Sequence, residues 1–230
     1  MKVHKENIKR CESFYKSDFY NELLKCNPEF IEVIFTELCL DADACDIELY
    51  QELAEKFGLV PKKYYLIDYV GKEEILLSAD VICGRKQLAK IRNYNFDFWI
   101  KDYENIRSNI DHHFIWPKHK LPTINTYRYQ IYKDRIDCLL YDLKQFYRGE
   151  ETPMLKAYQN DKTAVWLKKF LSFEDFIVKM KFNKFVNENF EVLDLSKNDG
   201  SIIRKYIRGN ELIDSIPAYI ETILGDYIKR

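Results

Sequence analysis

One short stretch in the second half of the chain carries side chains that could do chemistry, namely Asn125, Arg128, Asp134, Arg135 and Asp137. The two guanidinium groups are planar forks suited to carboxylate or phosphate, and the amide offers two donors and an acceptor. Asp134 and Asp137 lie one helical turn apart, so both carboxylates can emerge on one face of a helix near its positive N-terminal end. The pattern therefore predicts a polar cluster able to hold a phosphate or another ligand, or to do catalysis.

The same residues also have a purely structural interpretation. Asp134 can cap a helix or sit in its first turn, paired with Arg128, and no ligand is then needed to explain the pattern. We favour such an ion-pair network over a ligand site, and a ligand site over catalysis.

Three of the four histidines lie within eight residues, at His112, His113 and His119, beside Asp111. A catalytic zinc site uses three protein ligands and a water. The adjacent His112 and His113 would point to opposite sides of a strand, and His119 would have to fold back past Pro117 to join either of them. We therefore predict no metal site. The alternative is that these three histidines bind a metal ion.

The elements that must position these groups can be read from periodicity. Residues 133–148 carry one continuous apolar stripe at helical spacing, so they should form a helix that begins at the polar cluster. Residues 46–57 predict a second amphipathic helix. The β-formers of 64–70 and the segment 74–77 predict a hairpin around the turn at 71–72.

Weaker signals suggest the remaining elements. Residues 113–115 or 191–193 could add a third short strand to the hairpin. Residues 78–90 and the segment after Ser172 look helical, the latter with a capping signal. Pro217 predicts a break or a kink in the last helix.

Composition sets the fold class. The chain of 230 residues is 47% hydrophobic and 15% aromatic but has only seven Gly and six Pro, too few for the many turns of an all-β fold. No repeat or linker is visible. We therefore expect a single domain over residues 1–230 that is mainly α, with an α+β character limited to a small β-hairpin or short sheet.

Charge is unevenly distributed, although the net charge is only −1. Nine acidic residues and no Lys or Arg lie between 26 and 55, which is either a solvated acidic face or a surface for a basic protein partner. Residues 152–186 mix seven lysines with aromatics, a pattern that single-stranded nucleic acid can use. We favour the interpretation that these aromatics are core, and the near-neutral total gives no strong nucleic-acid signal.

The absence of long apolar stretches predicts a protein that does not span a membrane. The start is charged and has no apolar segment of a secretory signal behind it. Six scattered cysteines with no CxxC pair are typical of an intracellular chain without disulfides. Together these features favour a cytoplasmic location.

The stretch from about Ile110 to Val186 carries an ordered set of short motifs, which are Phe114-Ile115-Trp116-Pro117, Lys118 and Lys120, Thr123-Ile124-Asn125, Arg128, Asp134-Arg135-Ile136-Asp137, Tyr147-Arg148-Gly149 and Pro153-Met154-Leu155. In this order they resemble an uncharacterised family of bacterial and phage-associated helical proteins. The resemblance implies a helical domain with a polar cluster, to which Lys120 adds a basic group, and it implies no activity or cofactor.

Two functions remain open. The first is a non-enzymatic binding or regulatory module linked to mobile elements or phage defence, because no recognisable catalytic motif is present. The alternative is a small enzyme that acts on a phosphorylated or nucleotide-like substrate through the Asn125 to Asp137 cluster. A metal-dependent nuclease using the histidines ranks third.

Overall fold

The fold is given by a computed structural model. It describes residues 47–63, 65–84, 87–88, 91–92, 101–103, 106, 109–118, 127–157 and 162–228, with 17, 18, 21, 22 and 25 near the N terminus. The helices α1 to α7 among them are Ile47–Phe57, Tyr127–Tyr132, Ile136–Tyr147, Pro153–Ala157, Thr163–Leu167, Phe173–Lys179 and Gly209–Ile228. Short 3-10 helices occupy Ile110–His112 and Asn183–Phe185.

A four-stranded antiparallel sheet forms the other part of the fold. Its strands β1 to β4 are Val60–Lys62, Tyr65–Val70, Glu73–Val81 and His113–Pro117, in that spatial order. The β2–β3 hairpin turns at Gly71, whose φ of +61° is a conformation that glycine adopts without strain. Strand β4 then pairs with β3 along its second half.

The prediction of a mainly α fold with a small hairpin or short sheet is wrong, because the fold is α+β and contains a four-stranded antiparallel sheet. Strand β3 runs nine residues, to Val81, through the segment where Ser78 and Asp80 resemble helix-capping residues. Strand β1 has only three residues and contains Pro61, so no periodic signal predicts it.

Several elements match the sequence closely. Helix α1 and the β2–β3 hairpin form where predicted, and of the two candidate third strands it is the one at 113–115 that joins the sheet. Ser172 caps α6 by accepting a hydrogen bond from the backbone N–H of Asp175 at 3.2 Å. Helix α7 continues through Pro217, so the predicted break is absent.

The core lies between the sheet and the helices packed on it. Helix α1 contacts β1, β2 and β3, and the backbone N–H of Ala79 donates to the Tyr50 hydroxyl at 3.1 Å. Helix α5 contacts β4, with the rings of Trp116 and Trp166 edge to face at 6.0 Å. The first four residues of the predicted apolar stripe of α3, Ile136, Leu139, Leu140 and Leu143, are fully buried, which fixes the N-terminal part of the helix.

Candidate functional site

Arg128 on α2 is the centre of a first group of charges, which we call the Arg128 cluster. Its Nη2 lies 2.7 Å from a carboxylate oxygen of Asp80, at the end of β3, and 3.0 Å from one of Asp134. Its Nη1 donates to the main-chain oxygen of Asp134 at 3.2 Å, and the guanidinium lies over the Phe114 ring. Arg128 is only 3% exposed, whereas the side chains of Asp80 and Asp134 are 22% and 14% exposed. The carboxylates therefore cover the cation.

The turn between α2 and α3 has a strained backbone. Lys133 and Asp134 are consecutive non-glycine residues with φ of +51° and +63°, a conformation that costs L-residues roughly 1–2 kcal/mol each. The Gln87 side-chain amide donates to the Lys133 main-chain oxygen at 2.7 Å and to Asp134 Oδ2 at 3.2 Å. A Cβ at Gly84 would lie 2.5 Å from the Gln87 side-chain oxygen and 3.0 Å from Asp134 Oδ2, so a larger residue there would displace the Gln87 side chain from its contacts. The turn moves the start of α3 from the predicted residue 133 to Ile136.

Arg135 is the centre of a second group, which we call the Arg135 cluster. Its Nε and Nη2 donate to the two carboxylate oxygens of Asp137 at 3.0 and 2.6 Å, and Nη2 also donates to Asp194 at 3.0 Å. The backbone N–H groups of Cys138 and Leu195 each donate to Asp137 at 2.9 Å. Arg135 and Asp137 are both 0% exposed, so every one of these contacts is sealed from water.

Helix α7 covers the Arg135 cluster from the other side. Arg135 donates to the Ser215 hydroxyl, and its guanidinium lies over the Tyr219 ring. Burial acts to lower the pKa of Arg135, but the Asp137 carboxylate outweighs it and the pKa is raised. Burial likewise acts to raise the pKa of Asp194, yet hydrogen bonds from Ser196 and the charge of Arg135 lower it. Both groups are charged, and Arg135 links the start of α3 to α7 on one side and to Asp194 on the other.

The residues predicted from sequence thus fall into two clusters rather than one. Arg128 and Asp134 lie in the first, Arg135 and Asp137 in the second, and each guanidinium is already paired with carboxylates. The prediction that Asn125 and Lys120 join them stays a prediction, because both lie outside the described residues. Sequence reasoning missed the partner residues, which are Asp80, Asp194, Ser215 and Tyr219.

The histidine alternative gains no support from geometry. His112 and His113 are buried, and burial lowers the pKa of His112 to about 4, helped by the charge of Lys184. Within the described part of the chain, no three His, Cys, Asp or Glu side chains are placed to hold a metal ion. His119 lies outside that part. The thiols of Cys83 and Cys138 are buried, which raises their pKa and makes them unreactive.

The aromatic residues of the lysine-rich segment are core, as the sequence favoured. Trp166 and Phe176 are almost fully buried, along with the neighbouring aromatics Phe170, Phe173 and Phe182. The Trp166 indole donates to the buried Asp68 carboxylate at 2.9 Å. These rings are therefore not exposed for bases to stack on.

A surface pocket of about 560 Å³ adjoins the Arg135 cluster, and we call it the 194–211 pocket. The charged residues that line it are Asp194, Lys197, Arg204, Lys205 and Glu211. Lys197 lies 3.4 Å from Asp194, and Lys205 lies 3.0 Å from Glu211. The exposed Arg204 side chain forms no ion pair with any described residue. Asp194 joins the pocket to the buried Arg135, so one wall of the pocket is anchored in the core.

Backbone contacts hold the Arg204 side of the pocket. The Tyr141 hydroxyl donates to the main-chain oxygen of Arg204 at 3.0 Å, and the N–H of Ile203 donates to the main-chain oxygen of Val192 at 2.9 Å. No sequence pattern predicts this pocket, because its wall is an irregular segment between two isolated β-bridge positions and α7.

None of the helices among the described residues has both the length and the apolarity that crossing a bilayer requires. Residues 50–229 match the model of a family described as "Family of unknown function (DUF6994)". This range contains both clusters and the 194–211 pocket. No curated protein and no solved structure matches the chain.

Proposed function

We propose that this protein, which belongs to DUF6994, a family of unknown function, is a non-enzymatic binding module. Its 194–211 pocket would bind the anionic group of a small ligand. The observation that carries the proposal is the pocket itself. It has a volume within the range of small-molecule sites, and it contains a guanidinium, on Arg204, that no described carboxylate neutralises.

The two clusters support a binding role over catalysis. General acid–base catalysis needs a proton-transferring group that reaches the substrate. Arg135 and Asp137 are sealed in the core and satisfy one another, and Arg128 is covered by Asp80 and Asp134. The Arg135 cluster stabilises the framework behind the pocket, and the Arg128 cluster holds the turn before α3.

Native mass spectrometry of the protein isolated from its own cells tests the proposal. We expect a bound small molecule on the wild type that is lost in Arg204→Glu and retained in Lys168→Glu. Lys168 is an exposed cation outside the pocket, so its variant has the same change of charge without touching the site. Equal occupancy in the two variants would rule out the pocket as the site.

The enzyme acting on a phosphorylated or nucleotide-like substrate is the second candidate. It is favoured by the strained turn at Lys133 and Asp134, because such strain often accompanies function. Phosphorus NMR with inorganic phosphate tests it. Signal broadening that is lost in Arg128→Lys would support the candidate, and an unchanged spectrum with the wild type would refute it.

The cellular setting belongs to the proposal as well. We propose a cytoplasmic protein of bacteria, associated with mobile elements or phage defence, which binds a basic protein through its acidic 26–55 segment. Glu48, Glu52 and Glu55 support this because they are exposed on α1. Replacing all three with glutamine should abolish co-purification of the basic partner at low salt. A partner retained by the triple variant would contradict it.

A further inference from the structure

The charges around the 194–211 pocket leave a single positive charge to be neutralised. Lys197 is paired with Asp194 and Lys205 with Glu211, while Arg135 behind the wall is shared between Asp194 and the buried Asp137. These contacts involve three cations and three carboxylates.

 Among these groups, the three carboxylates balance the charges of Arg135, Lys197 and Lys205. Arg204 is a fourth cation, so one positive charge remains without a counterion among them.

One surplus charge favours a ligand with a single negative charge. A phosphate monoester carries close to two negative charges at neutral pH, and its second charge would lie near the carboxylates of Asp194 and Glu211. A carboxylate carries one, and it matches the planar fork of the Arg204 guanidinium.

The remainder of the pocket wall favours an apolar ligand body. Ile203 and Ile207 are largely buried residues that line it together with Ile202, and most of the wall is apolar. An apolar wall with a few polar groups is the usual composition of a small-molecule site. The volume of about 560 Å³ also exceeds what a single inorganic ion needs.

Ser201 adds a hydrogen-bonding group at the same place. Its hydroxyl oxygen is buried in the pocket wall and makes no well-directed hydrogen bond among the described residues, although it lies near the Asp199 carboxylate, whose pKa it lowers. The hydroxyl is therefore available to a ligand. The hydroxyl can donate to a carboxylate oxygen of a ligand that also contacts Arg204.

We infer that the ligand of the 194–211 pocket is a small aliphatic carboxylate, held by Arg204 and Ser201 with its apolar body on the isoleucines. This inference rests on the proposed function and narrows it to one chemical class.

Isothermal titration calorimetry with four probes of equal chain length tests the class: hexanoate, hexyl phosphate, hexylammonium and 1-hexanol. We expect hexanoate to bind the wild type about tenfold more tightly than any of the others, the worth of one charge-assisted hydrogen bond. Arg204→Gln should weaken hexanoate binding about tenfold, and Ser201→Ala should weaken it about fivefold. The matched surface variant Lys168→Gln should stay within about twofold of the wild type.

The outcomes distinguish failure of the carboxylate inference from failure of the proposed binding function. Hexyl phosphate binding as tightly as hexanoate would overturn the carboxylate class and leave the binding module intact. Failure of both anionic probes to bind the wild type would overturn the two together. Hexanoate binding that Arg204→Gln leaves unchanged would show that the carboxylate lies elsewhere. The comparison among probes uses only the wild type, so it holds even if a variant fails to fold.

Discussion

Replacing Arg135 by methionine should be among the most destabilising single changes in this protein. The variant leaves Asp137 as a fully buried carboxylate with only two of its four hydrogen bonds, those from Cys138 and Leu195. It also removes the contact to Asp194. The three charge-assisted hydrogen bonds to carboxylates are lost, each worth about 1.5 kcal/mol, which gives about 4.5 kcal/mol, and the hydrogen bond to Ser215 is lost as well. This agrees with the 3–5 kcal/mol typical of a broken buried ion pair.

The double variant Arg135→Met with Asp137→Asn isolates the pair. Asparagine has no charge to strand and keeps one oxygen as an acceptor, so we expect the double variant to be more stable than Arg135→Met alone. The double-mutant cycle should give a coupling energy of at least about 2 kcal/mol. Lys156→Met is the matched control, because the Lys156–Glu151 pair is exposed at 4.0 Å and should contribute less than about 0.5 kcal/mol.

Equilibrium urea unfolding followed by fluorescence measures the free energies of unfolding of the wild type, Arg135→Met, Asp137→Asn, the double variant and Lys156→Met. A loss below about 1 kcal/mol in Arg135→Met, or a coupling energy near zero, would refute the claim that the Arg135 cluster stabilises the fold. Circular dichroism of each variant before unfolding checks that the starting state is native.

Three further predictions concern other parts of the framework. The folded-state pKa of His112 is lowered to about 4 from 6.5, so the free energy of unfolding of the wild type should fall by up to about 3 kcal/mol as the pH falls from 6.5 to 4. The free energy of unfolding of His112→Gln should lack this part of the pH dependence. Tyr132→Phe should cost about 1–3 kcal/mol in urea unfolding, because the buried Asp142 loses a hydroxyl donor; a cost near zero would contradict this. Gly84→Ala should lower the thermal midpoint through a 2.5 Å clash, whereas Gly225→Ala in α7, which meets nothing within 4 Å, should raise it; the reverse order would contradict the packing.

The parts of the fold with local causes were predictable. The apolar stripe of α3, the cap at Ser172 and the β2–β3 hairpin depend on residues close in sequence, and each forms where its pattern indicates. Strand β4 differs, because its partner β3 is far away in the sequence, and β1 is too short to give a periodic signal. Pairing of β3 with β4 places Ser78 in a strand and overrides the local signal for a helix beginning at residue 78.

In the candidate site, too, contacts between residues close in sequence were predictable and contacts between distant residues were not. The Asp-Arg-x-Asp spacing correctly draws attention to Arg135 and Asp137, since these two residues are bonded to each other. Their third partner, Asp194, is 59 residues from Arg135, and no spacing rule connects the two. The 194–211 pocket escapes prediction for a related reason, because irregular backbone carries no periodicity.

The contacts of Arg135 also bear on how the chain folds during its synthesis. Its partners Asp194 and Ser215 are made 59 and 80 residues later, so once α3 is complete the guanidinium has only Asp137 as a counterion and lacks its contacts to Asp194 and to α7. A ribosome-bound chain that stops before Ser215 should therefore remain open to proteases around α3. Release of α7 from the ribosome should then complete the contacts around Arg135.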